Sequence, residues 1–153
     1  MKRTIGCVLL AALLVAVFPL NCHAANVDDE MTTVYYFENG SYMTETLQVY
    51  QLRASGSVTG NKVSTYYGSD GSTDWKAVLS GTFTYTGSSA TCTASSCDVT
   101  IYDSAWYVIS KSASKSGSSA TASVTMGEKL LGITVNEVPI SLKLTCDANG
   151  NLS

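Results

Sequence analysis

Apolar and polar residues alternate over long stretches of this chain. Trp75, Ala77, Leu79, Gly81, Phe83 and Tyr85 fall on one parity. Lys76, Val78, Ser80, Thr82, Thr84 and Thr86 fall on the other. A period of two is that of a strand with one buried and one exposed face. This segment therefore predicts a long strand, apolar on one side and largely hydroxylic on the other. The pattern returns in Val138, Ile140, Leu142, Leu144 and Cys146, set against Pro139, Ser141, Lys143 and Thr145. Ala120, Ala122, Val124 and Met126 repeat it just before.

Turn chemistry separates the alternating runs. Asn39-Gly40 suits a type I′ hairpin turn, because both residues tolerate positive φ. Gly68-Ser69-Asp70-Gly71 and Asp103-Ser104 are further turn clusters. Strands are thus expected over 34–37, 42–52, 62–67, 75–86, 99–102, 106–110, 120–126 and 138–146. Residues 54–60 and 86–96 are small and polar and read as loops, with more turns at 114–117 and 127–129. Residues 25–32, carrying Asp28, Asp29 and Glu30, read as a loose acidic start. No segment has a helical period. The expectation is an all-β fold, a two-sheet antiparallel sandwich of about eight strands, with a closed barrel as the alternative.

Cys92, Trp106 and Cys146 invite comparison with an immunoglobulin domain. Position 144 is Leu rather than the Tyr that fold places two residues before its second Cys, and little chain follows Cys146. The sandwich is therefore immunoglobulin-like only in a loose sense.

The N-terminal residues bear on the charge and chemistry of the rest. Lys2 and Arg3 precede an uncharged apolar run from Ile5 to Leu20, and small residues follow at Ala24 and Ala25. This is the layout of a secretory signal peptide. Residues 1–24 are read as the signal peptide and 25–153 as a single domain. An uncleaved anchor fits less well, since the run is short for a bilayer span. Lipidation at Cys22 also fits poorly, with Asn21 before it. Cleavage removes Lys2 and Arg3, so the net charge moves from −3 to −5. Such a chain lacks the basic footprint of a nucleic-acid binder and keeps no stable membrane span.

Cleavage also removes His23, the one histidine. A Ser-His-Asp or Cys-His relay and a histidine-ligated zinc site both need an imidazole. A carboxylate mechanism would have to draw on Asp70, Asp74, Asp98 and Asp103, which read as turn and strand-end residues. Asp147, Asn149 and Asn151 alternate like the start of a calcium loop, but Gly150 is misplaced and the closing Glu is missing. No catalytic, cofactor or metal residues are assigned.

Three cysteines remain: Cys92, Cys97 and Cys146. In an oxidising compartment they allow one bridge and leave one thiol over. The favoured pair is Cys92–Cys146, which closes the longer loop and places Cys146 on an inward parity. Trp75 and Trp106 share parity with apolar neighbours and are expected in the core. Of two adjacent tyrosines on a strand one must face out, so Tyr35, Tyr36, Tyr66 and Tyr67 are the candidate ligand contacts. Exposed aromatic rings stack on sugar faces.

Several separated blocks also resemble a family of small secreted β-rich proteins of Gram-positive, clostridial-type bacteria. They are ENGSY (38–42), TYYGSDGSTDWKA (65–77), GTFTYTGSSATCT (81–93), SKSASKSGSSATASVTM (110–126), LLGITV (130–135) and LTCDANGNLS (144–153). The resemblance implies secretion and a common fold and brings no catalytic residues. It also implies that Cys92 and Cys146 recur in relatives while Cys97 does not. The expected function is a secreted, non-enzymatic binding module at or outside the cell surface. Its partner would be a glycan, a cell-wall polymer or a protein. The alternative is a structural or self-assembling envelope protein.

Overall fold

A computed structural model describes residues 27–50 and 56–153. Residues 1–26, on which the expected signal peptide and cleavage site fall, and residues 51–55 lie outside the described residues. Among the described residues eight strands follow one another: β1 (Val27–Tyr36), β2 (Tyr42–Tyr50), β3 (Ser57–Tyr67), β4 (Thr73–Tyr85), β5 (Ala90–Ile101), β6 (Trp106–Ser116), β7 (Ser119–Leu130) and β8 (Ile133–Thr145). They form one sheet in the order β1-β2-β3-β4-β5 and a second in the order β6-β7-β8. All neighbours are antiparallel. The all-β, two-sheet expectation holds. Both sheets are meanders of consecutive strands, so the likeness to an immunoglobulin domain is one of layers and not of Greek-key connections.

The alternation read from β4 is the alternation observed. Trp75, Ala77, Leu79 and Phe83 are fully buried, and they face Ala120, Val124, Met126, Leu142 and Leu144 of the other sheet. Burying each large side chain stabilises the fold by about 1.5–3 kcal/mol. The outer face of the larger sheet is hydroxylic, with Thr32–Thr46 and Thr59–Thr82 side-chain hydrogen bonds crossing between strands.

Several expected loops and turns are strand. Residues 57–60 extend β3, 90–96 open β5, 114–116 end β6, 127–129 lie within β7, and β1 begins at Val27. Their Gly, Ala, Glu and Lys residues have weak strand preference of their own. Cross-strand pairing supplies what propensity lacks: Ala90 to Cys97 run opposite Tyr85 to Leu79. A bulge between Thr82 and Phe83 sets Cys92 opposite Phe83. Cys92 and Cys97 differ in sequence parity, yet the bulge turns both inward, and both are buried. The turns fall instead at Gly117, with φ of 53°, and at Leu131-Gly132, with φ of 53° and 83°.

The two sheets differ in width, and this creates the main surface feature. β6, β7 and β8 pack against β3, β4 and β5. β1 and β2 continue the larger sheet beyond β8, and among the described residues no strand lies above them. Register shows which of their residues face the core side. Tyr35 lies opposite Met43, then Tyr66, then Trp75. Met31 lies opposite Leu47, then Lys62, then Leu79. Tyr35 and Met31 thus stand on the inner face, yet remain 44% and 67% exposed.

Candidate functional site

A groove runs along the outer edge of β8, floored by the inner face of β1 and β2. It holds two cavities. One, of about 410 Å³, lies between the β1–β2 turn and the first half of β8. Phe37, Glu38, Asn39, Met43 and Tyr66 line it from one side, and Asn136, Glu137, Val138 and Pro139 from the other. The second, of about 270 Å³, lies farther along and is lined by Met31, Thr33, Tyr35, Glu45, Leu47 and Lys62 with Leu152 and Ser153. The groove is thus largely apolar. Two carboxylates lie at one end, and a Glu45–Lys62 pair of opposite charges lines the other.

An aromatic cluster stiffens the first cavity from beneath. Tyr66 stacks on Trp75, with ring centroids 5.2 Å apart and planes 8° from parallel. Trp106 meets Trp75 edge-on at 6.0 Å, and Phe37 leans on Tyr66 at 5.6 Å. Buried phenol and indole hydrogens usually find partners; those of Tyr66 and Trp106 do, while Trp75 Nε1–H has none among the described residues. Tyr66 donates its hydroxyl hydrogen to Ser41 Oγ at 2.7 Å, and Ser41 donates to Asn39 Oδ1 at 2.6 Å. Trp106 Nε1–H donates to Asp74 Oδ2 at 3.2 Å. Burial, and then the neighbouring Asp103, push the Asp74 carboxyl above its ordinary value.

The four tyrosines expected as ligand contacts divide three ways. Tyr35 lines the groove. Tyr66 is 3% exposed and serves as core. Its ring reaches the groove only as part of the first cavity's wall. Tyr36 and Tyr67 lie on the opposite, outer face of the sheet with Tyr42 between them. Tyr42 and Tyr67 stack face to face, with centroids at 4.5 Å and planes at 10°. Their ring faces are thus turned to each other, and of this row Tyr36, at 81% exposure, is the most open ring. Trp75 and Trp106 are buried as expected. Met31, Phe37, Met43 and Leu47 are groove residues that parity alone did not single out.

The acidic candidates are engaged in turns and packing. Asp70 accepts hydrogen bonds from the Ser72 amide and hydroxyl, which hold its carboxyl below the ordinary value. Asp103 accepts from the Ala105 amide. Asp98 lies on the outer face opposite Val78. Asp147 accepts from the Asn151 side chain and from the Asn151 and Asn149 amides, and its carboxyl is likewise lowered. Among the described residues no group of three or more His, Cys, Asp or Glu is placed to hold a metal ion, and no helix is long and apolar enough to cross a membrane.

The three cysteines are free thiols in this structure, so the expected Cys92–Cys146 bridge is not formed. The two thiols of that pair point to carbonyls instead, Cys92 Sγ to Ala94 O at 3.2 Å and Cys146 Sγ to Asp147 O at 3.4 Å. The backbones nonetheless converge on one turn. The Cys92 amide donates to Gly117 O at 2.8 Å, and the Cys146 amide to Ser118 O at 2.9 Å. Burial raises all three thiols above their ordinary value, and Cys92 adds to the rise at Cys146. Cys97 sits apart, opposite Leu79.

Comparison of the chain with family models, curated proteins and solved structures gave no match. The functional reading therefore stands on geometry and sequence.

Proposed function

We propose that this protein is a secreted, non-enzymatic binding module that holds its ligand in the groove between β8 and the overhanging β1–β2 ribbon. The observation that carries this reading is the unequal width of the sheets. Met31, Tyr35 and Leu47 face the core side of the larger sheet, and among the described residues no strand lies above them. An elongated, mostly apolar concavity with a few polar groups is the usual form of a binding site. Met31, Thr33 and Tyr35 of β1 stand beside Leu47, Glu45 and Met43 of β2, and the strand pairing fixes their spacing.

Secretion and a place at or outside the cell surface rest on the signal-peptide pattern and on the resemblance to Gram-positive secreted proteins. The absence of histidine from 25–153 and the turn roles of Asp70 and Asp103 support a binding role over catalysis. In the oxidising exterior, Cys92 and Cys146 would join beside the β6–β7 turn and pin the two sheets.

A second reading is self-assembly into an envelope structure. It is favoured by one feature: Leu130, Leu131, Ile133 and Val135 at the β7–β8 hairpin are 55–96% exposed. Patches of this kind mark association surfaces.

Retention of the purified, unreduced 25–153 domain on insoluble peptidoglycan, a polysaccharide panel and the producer's own cells tests the first reading. Retention on one of these, abolished by Tyr35→Ala and kept by Tyr36→Ala, supports the groove. No retention on any surface, with size rising with concentration, supports assembly.

A further inference from the structure

We propose that the free edge of β8 takes a single extended polypeptide segment from another protein as a ninth strand, whose inward side chains fill the groove. This rests on the groove reading and names its occupant.

The chain itself already begins such a strand. After β8 it turns at Asp147–Gly150 and comes back along the outer edge. Cys146 and Leu152 form an antiparallel bridge, and Thr145 and Ser153 exchange two backbone bonds, 2.8 and 2.9 Å long. Leu152 points inward onto Gly60. Among the described residues, β8 has no partner on this side before Thr145. Its edge amides and carbonyls there are a template for strand addition.

The pattern of that edge follows from antiparallel geometry. Hydrogen-bonding direction alternates along a strand. Because Thr145 bonds outward to Ser153, Lys143, Ser141 and Pro139 present their outer backbone groups to the same side. Pro139 has no amide hydrogen, so it contributes only a carbonyl, which is the tolerated place for Pro in a sheet. The same geometry applies to the incoming strand. Ser153 bonds to Thr145, while Leu152 points into the groove. In an added strand, the residues whose amides bond β8 are therefore those whose side chains face solvent. Residues between them place side chains over Leu47, Met31 and Tyr35.

The space admits one strand rather than the edge of a second copy's smaller sheet. Packed sheets lie about 10 Å apart. β8 of a second copy would bring its own larger sheet into the space that β1 and β2 occupy. The two cavities lie in line along β8, so a lone segment continuing the direction of Leu152–Ser153 passes through both.

The test uses the unreduced 25–153 domain and a soluble peptide of alternating Val and Thr, tagged with lysines. Two analogues carry backbone N-methyl groups, one on every Thr and one on every Val. With Val inward, Thr amides bond β8. Binding is expected for the parent and for the N-methyl-Val peptide, with protection of the Ser141 and Lys143 amides from hydrogen exchange. The N-methyl-Thr peptide is expected to bind at least about tenfold more weakly. Absence of parent binding at millimolar concentration overturns the proposal. So does equal binding of both analogues, or concentration-dependent self-association that protects the same amides. If Tyr35→Ala still abolishes retention on cells while the parent peptide does not bind, the groove reading survives and the strand does not. If retention is insensitive to Tyr35→Ala, the groove reading itself fails.

Discussion

Tyr66 in β3 and Ser41, the residue before β2, are joined by a buried 2.7 Å hydrogen bond that ties the aromatic cluster to the β1–β2 turn. The turn carries Phe37, Glu38 and Asn39 into the groove wall. Tyr66→Phe keeps the stack on Trp75 and removes only the donor. It is expected to cost about 1 kcal/mol, or a fall in Tm of about 4 °C. Ser64→Ala provides the contrast, because Ser64 Oγ is buried without a partner. That variant is expected to match or exceed the parent in stability. Thermal unfolding of the pair checks both, and a destabilised Ser64→Ala would contradict the account of this face.

Asp74 gives a pH dependence of definite sign. Burial, then Asp103, raise its carboxyl above the ordinary 3.8 in the folded state. A raised acid binds its proton more tightly when folded. Its stabilising share is complete below the unfolded value and is lost as pH rises through the folded one. Asp70 and Asp147 shift the other way and favour the folded state as pH rises. The difference between the parent and Asp74→Asn isolates the first effect, since Asn Oδ1 still accepts from Trp106. Denaturant titrations from acid to neutral pH are expected to show the parent losing ground to Asp74→Asn as pH rises. A constant gap would refute this assignment.

Gly60 makes room for the chain's return. A Cβ there would collide with Leu152 Cδ1 and lie 3.1 Å from Gln48 O. Gly60→Ala is expected to lift Leu152 from β3 and loosen the Cys146–Leu152 bridge. Faster amide exchange at Ser153 and Thr145, with β4 amides unchanged, is the expected signature.

The cysteine pair predicts a redox-dependent stability. Joining Cys92 to Cys146 closes a loop of roughly 55 residues, worth about 4 kcal/mol by chain entropy. In a domain of this size that is a rise in Tm of about 10 °C or more. Cys97→Ser is expected to leave the rise intact, and Cys146→Ser to abolish it. Equal unfolding with and without reductant would count against the bridge.

What was legible in the sequence follows the strength of local pattern. β4 and the second half of β8 alternate without interruption, and their buried residues were foreseen. β5 reads as mostly loop in the sequence, because Thr91 to Ser96 are small and polar and their strand character comes from pairing with β4. The groove was not legible at all. Which of Tyr35 and Tyr36 faces it depends on register across three strands and on the narrowness of the second sheet. Tyr66 misled for a similar reason. Its parity neighbours Lys62 and Ser64 are polar, so nothing local marked that face as inward.

The most direct measurement compares Tyr35→Ala with Tyr36→Ala for retention of the unreduced domain on the producer's cells and on insoluble cell-wall and polysaccharide surfaces. Both positions are partly exposed sites on an edge strand, so each variant is expected to lose about 1 kcal/mol and remain folded. The groove account predicts that Tyr35→Ala is washed away while Tyr36→Ala is retained like the parent. Loss confined to Tyr36→Ala, or a parent retained by none of these surfaces, would contradict it.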